Sequence, residues 1–207
     1  MNKRSFIFVP NMRNRDENKE QIVKEKAIEM IVKMGLDGFS MQKLAKAASV
    51  SPATLYIYYK DKEDLILQIG IEESKRLMDT TLKGFDANMP FVEGMKIQWR
   101  NRADYWLTNP VAASCFEQLR HSPHRNRIFE SMDNTFVSSM KTFIHNAIEN
   151  KELAPMSSEV FWSVAYAPLY NLIRFHTEGM SLASKPFQFS EETMWQAFAL
   201  VMKALRP

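Results

Sequence analysis

Glu117, His121 and His124 stand at i, i+4 and i+7, a spacing at which a carboxylate and two imidazoles could hold a metal on one helix end. Pro123 ends that helix before His124, however, and no fourth protein ligand is evident, so no metal site is expected. Cys115 is the only cysteine. A lone thiol cannot close an internal disulfide or complete a thiolate zinc site, which fits a reducing, cytoplasmic setting. No base is indicated near it, and it reads as a small core residue. The sequence contains no phosphate-cradling glycine loop and no nucleophile elbow. No catalytic residue and no cofactor are expected.

A second group of side chains suits binding without turnover. Ser40, Ser51, Thr54, Tyr56 and Tyr58 supply hydroxyls, Gln42 an amide, and Lys60 and Lys62 ammonium groups, all in one short stretch. The same region is basic. Residues 1–62 hold 12 Lys+Arg against 7 Asp+Glu, a net +5, whereas the remainder holds 15 against 17, a net −2. The whole-chain value of +3 hides this division, which suggests that one end meets a polyanion.

The elements that position these groups are helices. Residues 1–15 lack sustained periodicity and read as a basic arm, either an idle tail or a reach to a minor groove or phosphate. A helix is expected over 17–34, with Val23, Ala27, Met30, Ile31 and Met34 on its buried face and Gly35 as its C-terminal cap. Ser40 caps a short helix over 41–48, with Leu44, Ala45 and Ala48 turned inward. Ser51 caps the next, with Pro52 at its first position, where a missing N–H costs nothing. Leu55 and Tyr59, four apart, bury that helix. Asp61, with Asp64 three residues on, starts a longer helix over 62–83. Further helices are expected over 91–107, 111–121, 125–150, 158–179 and 191–205, separated by prolines.

Two short helices joined by Ser49-Val50-Ser51 in a basic domain describe a helix-turn-helix, whose second helix can enter a major groove. The block from Gly35-Leu36-Asp37-Gly38-Phe39-Ser40, through Leu44-Ala45-Lys46-Ala47-Ala48-Ser49-Val50-Ser51, to Thr54-Leu55-Tyr56-Ile57-Tyr58-Tyr59-Lys60-Asp61-Lys62-Glu63-Asp64-Leu65 resembles the TetR family of bacterial transcriptional regulators. The resemblance covers about residues 17–66. It implies an all-α fold: a three-helix DNA-binding domain over 16–62 after the arm at 1–15, then a helical effector-binding and dimerisation bundle over 63–207. It also implies contacts to double-stranded operator DNA from Ser40, Met41, Gln42, Ser51, Pro52, Ala53, Thr54, Tyr56, Ile57, Tyr58, Lys60 and Lys62, with Tyr56 and Lys62 on phosphates. For Ser40, capping alone is an equal reading. Ser49 occupies a turn position that is usually glycine, so the turn is strained or shifted. Tyr59 replaces the usual phenylalanine.

The segment from Pro52 to Tyr59 holds no Arg, Lys, Asn or Gln, the side chains that read purine edges bidentately. Sequence readout is therefore expected from apolar contacts of Ala53 and Ile57 with thymine methyls, from hydroxyls and from DNA shape.

In the family the last two long helices form a dimer bundle. Here Phe161, Ala165, Leu169, Leu172 and His176, with Trp195, Phe198, Ala199 and Met202, supply the apolar faces for a homodimer, and Pro168 is expected to disturb the first of the two helices. The resemblance also implies an effector pocket among the middle helices, with Trp99, Arg102, Trp106, Phe116, Phe136, Met140, Tyr166 and Tyr170 as its lining and an unidentified small molecule as its occupant. Gln98, Arg102, His145, Asn171 and Arg174 are the polar groups able to orient it. The function implied is a sequence-specific regulator, a repressor relieved by an effector. The alternative is a small-molecule-binding protein with a vestigial DNA-binding domain.

Bulk composition agrees. The 45% hydrophobic and 25% charged residues fit a globular chain, and 6 Gly with 9 Pro leave few tight turns for a many-stranded sandwich. No apolar run is long enough to span a membrane.

Overall fold

A computed structural model of the chain describes residues 12–131 and 134–207. Among them are eleven helices and an isolated antiparallel bridge between Met180 and Pro186. The arm expected over 1–15 lies outside the described residues up to residue 11, and the backbone is already helical from Met12. The chain divides into two compact units, one reaching Gly70 and including Ser114–Ile128, the other comprising Ile71–Ala113 and Phe129–Pro207.

In the first unit α1 (Met12–Gly38) packs on α2 (Met41–Ala47), and α2 on α3 (Pro52–Tyr58). Val23, Ala27 and Ile31 of α1 are fully buried, as the periodicity predicts, but Met34 is exposed. The cause is Gly35, whose φ of 70° and ψ of 172° interrupt the helix just where the stripe would continue. Leu44, Ala45, Leu55 and Tyr59 close the core, joined by Leu65, Ile66 and Ile69 from α4 (Lys62–Thr81). Cys115 and Leu119 of α6 (Pro110–Arg120) and Ile128 of α7 (Arg125–Glu130) belong to the same core.

The second unit is built on α5 (Phe91–Thr108), α8 (Asn134–Glu149), α9 (Ser158–Ala165), α10 (Ala167–Glu178) and α11 (Glu191–Leu205). Two expected helices are each divided. The stretch 125–150 gives α7 and α8. The stretch 158–179 breaks at Tyr166 (φ −124°, ψ −27°), because Pro168 has no N–H to donate and its ring would strike the carbonyl four residues back. Gly179 ends α10 in the left-handed conformation. Phe143 stacks on Phe91 at 5.5 Å and meets Phe85 edge-on at 4.9 Å, while Trp99 meets Phe198 at 5.3 Å. Each such buried side chain contributes about 1.5–3 kcal/mol.

Phe161, Ala165, Leu169, Phe198 and Met202, expected on a dimer face, are buried within this unit and form its own core. Ala199 is exposed, and Leu172, His176 and Trp195 are half-buried.

Candidate functional site

The turn between α2 and α3 is set by local chemistry. Ser40 Oγ accepts from the Lys43 N–H at 3.3 Å and Ser51 Oγ from the Thr54 N–H at 3.1 Å, so both expected N-caps form. The C-terminus of α2 closes with the Val50 N–H on the Ala45 carbonyl at 3.0 Å and the Ser49 N–H on that of Lys46 at 3.3 Å. This pattern requires a left-handed residue, and Ser49 fills it at φ 54°. The turn is strained at Ser49.

With Leu55 and Tyr59 inward, α3 presents Pro52, Ala53, Tyr56 and Ile57 to solvent, Ile57 at 77% exposure. Thr54 and Tyr58 are half-buried, and the Thr54 hydroxyl pairs with that of Ser51 at 2.8 Å. Gln42 and Lys60 are exposed. Met41 is a correction: only 7% exposed, it fills the core, because the first residue of α2 lies on the same face as Leu44 and Ala45. Its side chain is not available to DNA.

Lys60 and Lys62 flank a reciprocal cap. The Asp64 N–H donates to Asp61 Oδ1 at 2.8 Å, and the Lys60 N–H donates to Asp64 Oδ2 at 2.9 Å. Lys62 Nζ donates to the Leu36 carbonyl at 2.7 Å and lies 5.8 Å from the Phe39 ring centre. Lys43 Nζ similarly donates to the Gly38 carbonyl at 3.0 Å. An open groove of about 640 Å³ in the same unit is lined by residues that include Leu36, Lys62, Ile66, Gln118 and His124. Glu117, whose spacing from His121 and His124 is weighed above, accepts from Arg120 Nη2 at 2.7 Å and stands 3.8 Å from His121.

In the second unit, three of the expected pocket residues, Phe136, Tyr166 and Tyr170, converge on Arg102. This guanidinium is 3% exposed. Nη1 donates to the Tyr170 hydroxyl at 3.1 Å and Nη2 to Gln98 Oε1 at 3.0 Å. Its centre lies 4.4 Å from the Tyr166 ring, 5.6 Å from Trp162 and 5.8 Å from Phe136. Gln98 in turn donates from Nε2 to the Thr81 carbonyl at 2.8 Å, which fixes which end of its amide faces Arg102. Trp106 meets Tyr170 edge-on at 5.7 Å. Trp99 is committed to the core, its indole N–H on the Ala165 carbonyl at 2.9 Å. Met140 is buried, and Phe116 belongs to the first unit.

Burying a guanidinium costs several kcal/mol unless an anion offsets it. Cation–π contacts with three rings, about 0.5–2 kcal/mol each, offset part of that. Burial pushes the Tyr166 hydroxyl up to about 12, against the opposing pull of Arg102. Trp162 and Gln98 complete the cluster. Gln98 is among the polar groups expected of the pocket, and the spacing agrees, since Gln98 and Arg102, and Trp162, Tyr166 and Tyr170, recur every four residues.

A capped helix-turn-helix with an exposed second helix, followed by a helical body, defines a helix-turn-helix DNA-binding protein. Residues 18–69 match the sequence profile of bacterial regulatory proteins of the tetR family. An uncharacterized HTH-type transcriptional regulator of Haemophilus influenzae is 29% identical over 143 residues, which cover 69% of this chain and 75% of that one. A TetR family transcription regulator of Marinobacter aquaeolei superposes with a TM-score of 0.80 at 26% identity, over 94% of this chain and 99% of that structure. The fold is shared by a TetR-family transcriptional regulator of Haemophilus influenzae, with a TM-score of 0.75 at 23% identity over 94% and 100%. The match assigns the N-terminal domain to the TetR family of transcriptional regulators, and the likeness of fold extends over the rest of the chain. It is a DNA-binding regulator. Among the described residues no helix is long and apolar enough to cross a membrane.

Proposed function

We propose that the chain acts as a homodimeric repressor whose grip on operator DNA is released by a small molecule bound in the second unit. The observation that carries this reading is the exposed, uncharged face of α3, held out by the Leu55 and Tyr59 anchors. Hydroxyls and cations beside it, from Ser40, Ser51, Tyr56, Lys60 and Lys62, set the helix on phosphates. Ala53 and Ile57 then choose the sequence by apolar contact. The last helices pair two copies, with Val160 of α9 and Leu200 of α11 as exposed apolar residues that a partner would cover. Duplex half-sites about 34 Å apart require a fixed separation of two such helices. A ligand that favours another separation lowers operator affinity, and operator lowers ligand affinity reciprocally.

The test is fluorescence anisotropy of the full-length protein on duplex DNA from upstream of its own gene, across a salt series. The expected result is tight, saturable binding at two copies per site that weakens steeply with salt, as released counterions require. Binding no stronger than to random duplex would sink this reading and favour a ligand-binding protein with a vestigial helix-turn-helix.

A further inference from the structure

Arg102 meets three rings with its face and makes two hydrogen bonds with its terminal nitrogens, and Nε is left over. That N–H is fully buried and finds no acceptor among the described residues. No carboxylate of the described residues forms an ion pair with the guanidinium either. A buried cation is normally paired, and an unmet N–H on it is a cost that a ligand can remove. We propose that Arg102 is the anchor for an organic carboxylate, one of whose oxygens takes the Nε–H while the apolar body of the ligand lies among Phe136, Trp162 and Tyr170.

Three observations fix the class. The free donor is planar and cationic, so it selects an anion and orients a carboxylate in its own plane. The groups that touch the guanidinium are four aromatic side chains and the amide of Gln98, and a surface of that kind suits an apolar body with one carboxylate better than a phosphate or a polyanion. Phe136, Trp162 and Tyr170 are half-buried, so each of these rings already touches water. Gln98 adds a consequence for regulation. It bonds Arg102 with its oxygen and the carbonyl of Thr81, the last residue of α4, with its nitrogen. A carboxylate that draws the guanidinium toward itself draws on that link.

This inference rests on the reading of the second unit as the effector-binding part. It is tested by calorimetric titration of the full-length protein with octanoate and 1-naphthoate, each against its neutral amide. Carboxylates are expected to bind at least about tenfold more tightly than the amides, and Arg102→Gln to abolish the difference. Should that variant fail to fold, the Nε–Hε signal of Arg102 in the unaltered, nitrogen-labelled protein is expected to move on saturation with octanoate. Equal binding of acid and amide, no binding of either carboxylate at millimolar concentration, preference retained by Arg102→Gln, or an unmoved Arg102 signal would each overturn the proposal. Carboxylate binding that depends on Arg102 but leaves operator affinity unchanged would uphold the anchor and remove effector relief as its purpose.

Discussion

Lys62 Nζ sits 2.7 Å from the carbonyl of Leu36, joining the first residue of α4 to the last turn of α1. The ammonium also lies over the Phe39 ring. One of its three donors thus satisfies a helix C-terminal carbonyl, and the others are left for a phosphate. Replacing Lys62 with methionine keeps the stem and removes the charge. It should lower unfolding stability by about 1–2 kcal/mol. It should also reduce the slope of log affinity against log salt by about one, read by anisotropy. A stability loss with an unchanged slope would restrict Lys62 to joining the helices.

Ser49 holds φ 54° in the α2–α3 turn. The left-handed conformation costs a residue with a Cβ about 1–2 kcal/mol, partly offset by the greater unfolded-state entropy of glycine. Ser49→Gly is expected to raise stability by about 0.5–1 kcal/mol in urea denaturation, with operator affinity unchanged. A loss of stability would show that the serine side chain contributes more than the strain removes.

Ile57, at 77% exposure, is the most prominent apolar group of α3. If it reads a thymine methyl, replacing that thymine by uracil removes about one buried methyl, roughly 0.8 kcal/mol. Affinity should fall several-fold for the unaltered protein and not at all for Ile57→Ala. Equal sensitivity of both proteins at every thymine would exclude the contact.

Burial disfavours the Tyr166 anion and pushes its hydroxyl up to about 12, and Tyr105 is raised as well, by burial and then by Glu73 beside its hydroxyl. Both groups hold their proton more tightly folded than unfolded. Their contribution is therefore complete below the ordinary tyrosine value of about 10 and is lost as pH rises through the folded values. Urea midpoints should be flat in this respect from neutral pH to about 9 and fall above 10. Tyr166→Phe should flatten the fall. An identical alkaline slope in that variant would place the effect elsewhere.

The residues that shape the helix-turn-helix were legible in the sequence because each acts over three or four positions: Ser40 on Lys43, Ser51 on Thr54, Leu55 beside Tyr59. Where long-range packing decides, periodicity was a poorer guide. The resemblance places Met41 at DNA, yet it fills the core with Leu44 and Ala45, three and four residues on. Phe161 and Phe198 have the look of a dimer face but are consumed within one chain. The grouping of Ser114–Ile128 with the N-terminal helices depends on Cys115, Leu119 and Ile128 reaching a core far earlier in the chain, which no local pattern records. For Arg102 the sequence supplied the aromatic partners, yet not that they surround one guanidinium and leave a single nitrogen over.

Cys115 is the sole thiol of the chain and is wholly buried, in the core that supports α3. Any reagent that alkylates sulfur must wait for that core to part. The rate of labelling is therefore a stopwatch for the breathing of the DNA-binding unit alone, with no competing signal from the other helices. Adding operator, or a ligand of the second unit, and watching whether that clock slows would show which half of the molecule feels the other.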